Sequence, residues 1–158
     1  MNSLQPKCSC QQDELYAAET NALPRTNVSA EELQSWIDDL REMPYFERNF
    51  PNVLRIEAYN DHNRTTGSVG WFEKQHNCGI ICMADCHMHE QILLHEVAHV
   101  LAAARYGSHS HDPWFARTYL ELVYSRLGSE AYAALKDAFD RGCIDYDTDN
   151  AVPAGREM

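Results

Sequence analysis

Between Glu90 and Tyr106 the residues Ile92, Leu93, Leu94, Val97, Ala98, Val100, Leu101, Ala102, Ala103 and Ala104 cover most of a helical circumference. A helix apolar nearly all round belongs at the centre of a domain, so the rest of the chain has to fold about this segment. His95, Glu96 and His99 stand inside it and are carried into the interior with it. On a helix, His95 and His99 lie one turn apart on one face, with the Glu96 carboxylate beside the first. Buried polar groups need partners, and this spacing is the one that holds zinc through two imidazoles next to a general base. The motif therefore points to metal-assisted hydrolysis.

The flanking sequence supplies elements to cover that helix. Ser29-Ala30-Glu31-Glu32 is a capping box, with Ser29 as N-cap and Glu32 reaching back, which predicts a helix that turns Leu33, Trp36, Ile37 and Leu40 inward. Pro44 ends it, and Tyr45 to Pro51 reads as an aromatic connection. From Val53 to Tyr59, Leu54, Ile56 and Ala58 alternate with Arg55 and Glu57, the pattern of a half-buried strand. Ser68 to Glu73 and Cys78 to Ala84 read as two further strands joined by the turn Lys74-Gln75-His76-Asn77. Asp13 to Ala22 fits a short helix or a strand equally well. Gly107 stops the central helix, Pro113 opens a helix running to about Leu127, and Ser129 caps a last one to about Asp140. The expected fold class is α+β, a small mixed sheet of three or four strands on a central helix, with further helices towards the C-terminus. The domain reading is a flexible segment over 1–12, a single domain over 13–144 and an acidic flexible tail over 145–158.

Charge narrows the partners. With 158 residues, a formal net charge of −11 and a pI near 5.0, the surface repels nucleic acid and anionic membrane. No stretch has the length of a membrane span, and the first residues lack the apolar core of a signal peptide, so a cytoplasmic chain is expected. In that setting the six cysteines, Cys8, Cys10, Cys78, Cys82, Cys86 and Cys143, read as reduced thiols. A second metal site drawing on Cys8 and Cys10 with Cys78, Cys82, Cys86 or His87 would match no standard ligand spacing.

A catalytic zinc takes three protein ligands and keeps one open position. A third histidine six residues after His99 is excluded, because that position is Arg105. Glu121 on the following helix would have to turn inward to serve. His109 and His111 can both return over the helix once the chain has turned at Gly107, and Pro113 would fix the second of them by starting a new helix. The strand Cys78 to Ala84 is expected beside the cleft, its free edge open to an extended peptide. Tyr106, His109 and Tyr119 are candidates to assist an oxyanion, and His87-Met88-His89 lies in the approach to the helix.

The run His95-Glu96-Val97-Ala98-His99 followed by His111-Asp112-Pro113-Trp114-Phe115 resembles the SprT-type zincin pattern, in which the third histidine precedes Gly-Pro-x-Phe. More broadly, Leu15 to Ile144 resembles a family of small metallohydrolases of actinobacteria and their phages. The matching stretches are Tyr16-Ala17-Ala18-Glu19, Met43-Pro44-Tyr45-Phe46, Asn49-Phe50-Pro51, Leu93 to His99, Phe115 to Val123, Leu127-Gly128-Ser129-Glu130-Ala131 and Ala138-Phe139. The resemblance implies a zincin-like fold, zinc (Zn2+) held by His95, His99 and His111, and Glu96 as catalytic base. It also favours His111 over the alternative third ligand, His109. Two departures stand out: Asp112 replaces the usual glycine, and Tyr106 to Ser110 lengthens the loop and adds His109. The expected activity is that of a zinc-dependent metallopeptidase acting on a peptide or protein, with nucleic-acid and membrane partners not expected. The resemblance names no substrate. The competing expectation is a non-catalytic, zinc-stabilised interaction protein, such as a phage product that binds a host factor.

Overall fold

The computed structural model describes residues 11–149. In chain order the elements are α1 (Gln12–Ala22), α2 (Leu33–Arg41), α3 (Pro44–Asn49), β1 (Arg55–Asn60), β2 (Val69–Glu73), β3 (Cys78–Met83), a 3-10 turn (Asp85–His87), α4 (Glu90–Tyr106), α5 (Pro113–Leu127) and α6 (Ser129–Arg141). The fold is α+β, with one three-stranded sheet in the order β1-β3-β2. β1 runs parallel to β3, and β2 runs antiparallel to it.

The alternation seen in the sequence becomes a one-sided sheet. Ile56 and Ala58 of β1 pair in register with Gly79 and Ile81 of β3 and share a buried face with Met83. Tyr59 and Trp71 stand on the opposite, exposed face. Helices cover the buried face, α2 beneath β1 and α4 beneath β2 and β3; α5 packs on α4, α6 on α5, and α1 returns to α6. One continuous core results, running from Leu15 in α1 to Ile144 after α6.

Several expectations change here. Asp13 to Ala22 is helical. Ser29 Oγ does accept from the Glu32 backbone N–H at 3.2 Å, yet residues 30–32 form a turn and α2 begins at Leu33. Tyr45 to Pro51 is largely helix rather than connection, because Pro44, which cannot continue α2, takes the first position of α3, where its missing N–H costs nothing. Leu54 is 62% exposed, and Val53 holds the buried place instead. Ser129 is the first helical residue of α6 and caps nothing.

The largest correction concerns the sheet edges. β3 is the central strand, paired on both sides, so it has no edge to offer a peptide. The chain crosses from β1 to β2 through residues 61–68, which carries β2 to the far side of β3. Of the two true edges, that of β1 is capped by a side chain: Gln34 donates to the Ile56 carbonyl at 2.9 Å and accepts from the Ala58 N–H at 3.0 Å. The outer edge of β2 carries no strand among the described residues.

Beyond α6, residues read as the start of a tail lie against the body. Asp145 exchanges two hydrogen bonds with Gln11, and Arg117 donates to the buried Thr148 hydroxyl at 2.5 Å. Among the described residues, no helix is long and apolar enough to cross a membrane.

Candidate metal centre

α4 spans the residues its apolar pattern predicts, Glu90 to Tyr106. It ends where Gly107 turns left-handed at φ 67, with the Gly107 and Ser108 N–H groups bonding back to the Ala103 and Ala102 carbonyls. The chain then doubles back, and Asp112 sets where it lands. Its carboxylate accepts from the Phe115 N–H at 3.0 Å, capping α5, and from Ser108 Oγ at 2.7 Å, tying both ends of the loop together. The residue that departs from the glycine of the resembling pattern is thus the one that anchors the turn.

His111 is delivered by that turn onto the two histidines of α4. Its Nε2 lies 3.0 Å from His95 Nε2 and 3.0 Å from His99 Nε2. One ligand atom from each of the three lies within 4.8 Å of the others, close enough to bind a metal ion. His109 is exposed and lies instead in a separate hollow with Phe72, Lys74 and Gly107, against Ala103 and Ala104 in the last turn of α4 rather than beside His95 and His99. Glu121 also stays out: Tyr45 Oη donates to it at 2.8 Å and Arg117 Nε at 3.3 Å.

The donor chemistry fits a cation. His95 Nδ1 is bonded to the carboxylate of Glu19, from α1, and both side chains are almost fully buried. A carboxylate there holds the proton on Nδ1 and leaves Nε2 as a lone pair. His111 Nε2 cannot satisfy both of its neighbours at once, since a proton on it can point at only one of them. Burial holds His99 down to about 2, with the charges of His95 and His111 adding to the effect. Burial and the charge of His95 likewise lower His111 to about 4. Both are therefore neutral, the form that ligates a metal. For His95, burial is outweighed by the charge and hydrogen bond of Glu19 and by the charge of Glu96, so its pKa is raised and a bound cation has to displace any proton from Nε2.

Rings close the pocket. Phe115 stacks on His99, with centroids 4.2 Å apart, and Tyr16 lies parallel to His95 at 5.1 Å. Tyr119 is fully buried, its hydroxyl donates to the Gln91 carbonyl at 3.1 Å, and burial together with the nearby Glu19 charge keeps it protonated. That bond occupies the proton of the Tyr119 hydroxyl, a candidate to assist an oxyanion. Tyr106 packs against Trp114 with centroids 4.6 Å apart and planes tilted by 34°. His87 Nδ1 is 3.2 Å from the Ser68 N–H and hydroxyl, and His89 Nδ1 is 3.0 Å from Asn27 Oδ1, so both fasten the approach to α4.

Glu96 is 4% exposed and stands on the flank of α4 that faces β2, where the backbone N–H of Gly70 bonds it. Burial raises its pKa above the ordinary carboxylate value, against the opposing pull of His95, Arg64 and the Gly70 N–H. Arg64 is itself held by the Gly67 carbonyl. The strand beside the site is therefore β2.

Cys78, Cys82, Cys86 and Cys143 are free thiols, and none joins a metal-capable group among the described residues. Cys8 and Cys10 lie outside those residues. Glu19 is the functional position that sequence reasoning left without this role. Compared with protein-family models, with curated proteins and with solved structures, the chain matches none of them.

Proposed function

We propose that the chain is a zinc-dependent metallopeptidase of zincin-like fold, with His95, His99 and His111 as ligands and Glu96 as general base. The observation that carries this reading is the pairing of three convergent imidazole nitrogens with a buried carboxylate that is not one of them. Zinc bound there would supply Lewis acidity to a scissile carbonyl and make water acidic near neutral pH. The chain's own groups do the rest. Glu19 keeps His95 in the tautomer that presents Nε2. A carboxylate raised by burial is a stronger base than one in water, so Glu96 takes a proton from the attacking water and returns it to the leaving amine. The outer edge of β2, which carries no strand among the described residues, is where an extended peptide can add as a further strand.

The test is hydrolysis of a proteome-derived peptide library by zinc-loaded protein and by Glu96→Gln. The variant is expected to retain one zinc per chain and the wild-type melting temperature while turnover falls by about 10²–10⁴-fold. Undiminished cleavage by Glu96→Gln removes the carboxylate from the mechanism. A zinc-loaded wild type that cleaves nothing favours the alternative reading, a zinc-stabilised interaction protein.

A further inference from the structure

The face of α5 turned away from the histidines carries an aromatic corner that the metal centre does not use. Arg117 and Glu121 each follow by two residues a side chain aimed at the metal centre, Phe115 and Tyr119, which puts them about 200° round the helix. Beside them are two adjoining hollows. One, of about 330 Å³, is lined by Tyr45, Glu121, Tyr124, Ser125 and Tyr132. The other, of about 510 Å³, shares Glu121 and Tyr132 and adds Arg117, Leu120, Tyr146 and Asp147. Tyr124 and Tyr132 meet edge to face, with centroids 5.4 Å apart and planes at 84°, and so form a right-angled corner. Tyr45 reaches Glu121 Oε2 at 2.8 Å, which sets a carboxylate beside that corner. Arg117 Nε takes the other oxygen at 3.3 Å in a solvent-exposed ion pair, so part of the carboxylate's charge is already answered from that side. Each carboxylate oxygen keeps a further acceptor direction.

Tyrosine faces attract cations, and a carboxylate supplies the opposite charge. Beside the second hollow, Lys136 Nζ sits 5.7 Å from the centroid of Tyr146, a cation already held against a tyrosine face. A primary ammonium brings three N–H groups that each need an acceptor, more than one shared carboxylate provides. A methylated ammonium needs few or none and is matched by ring faces. We propose that the Tyr45–Tyr124–Tyr132 corner, closed by Glu121, binds a quaternary ammonium group. The choice is independent of what the metal centre does.

The experiment is a proton NMR titration of the full chain with choline and with Nε-trimethyl-lysine, against 3,3-dimethyl-1-butanol as a neutral isostere of choline. The ring signals of Tyr124 and Tyr132 are expected to shift saturably with the cations, and the isostere to bind about tenfold more weakly. Whichever cation binds more tightly identifies the source of the group. Tyr124 is 56% exposed, so Tyr124→Ala leaves the fold intact and should weaken binding by about fivefold, whereas Tyr124→Phe should preserve it. Glu121→Gln provides an independent loss through charge. Equal affinity for the isostere, full affinity in Tyr124→Ala, or no saturable shift with either cation overturns the proposal.

Discussion

On the flank of α4 that meets the sheet, backbone lies against helix: a Cβ built on Gly70 would stand 2.5 Å from the Glu96 carbonyl oxygen, and one on Gly79 would overlap Val100 Cγ1. On the flank that meets α1 and α5, side chains make the contacts to His95 and His99, among them Glu19, Tyr16, Phe115 and His111. The two flanks set two different things. The sheet side has no slack, so it fixes how far Glu96 stands from β2. The histidine side is a chain of polar and aromatic groups, each holding the next, so it fixes tautomer and ring orientation. Damage to the first should therefore appear as lost stability, and damage to the second as lost metal affinity with the fold kept.

Gly70→Ala is the most severe test. The obstructing atom is a main-chain carbonyl in the middle of α4, which cannot rotate aside as a side-chain tip can. Strand or helix has to shift, and overpacking of this kind costs about 3 kcal/mol. For a chain of this length that corresponds to a fall in melting temperature of roughly 6–12 °C. Metal binding should weaken only in proportion to the unfolded fraction. A Gly70→Ala protein with normal melting would show that the sheet flank has slack after all.

Glu19→Gln probes the other flank at smaller cost. The amide keeps the size and can still accept from His95 Nδ1–H, but it removes the charge that raises His95. Loss of such an outer partner lowers metal affinity by about 10–100-fold. Zinc competition titrations should show that loss while the melting temperature of the metal-free chain stays near wild type. If the metal-free chain is strongly destabilised and zinc affinity is unchanged, Glu19 only packs α1 in place.

How much of this was legible in the sequence follows the same division. The limits of α4 and α5 coincide with the apolar pattern because burial on nearly all sides leaves a local trace. His95, Glu96 and His99 were equally plain, being one turn of a single helix. The choice between His109 and His111 was not, since it turns on which carboxylate caps α5, and only the folded loop shows Asp112 holding Ser108 and Phe115 together. Glu19 lies 76 positions from His95, and no spacing rule joins them. Strand order was also hidden: alternation shows which face of β3 is buried but not that the crossover at residues 61–68 puts a neighbour on each of its edges.

Gly79→Ala offers the smallest and sharpest variation. It lies on the sheet flank like Gly70, but the atoms in the way are side-chain methyl and methylene groups, Val100 Cγ1 and, at 3.1 Å, Ile56 Cγ1. Valine in a helix is nearly confined to one χ1 rotamer, so Val100 gives way by tilting with its surroundings rather than by rotating. The expected cost is about 1–2 kcal/mol, which is less than that of Gly70→Ala. Zinc affinity should be untouched, because Val100 is not among the groups that hold His95 or His99. The comparison between the two alanine variants by chemical denaturation separates backbone obstruction from side-chain obstruction on one flank. If Gly79→Ala proves the costlier, the height of the sheet above α4 is set by the Val100–Ile56 contact and not by the Gly70–Glu96 backbone approach.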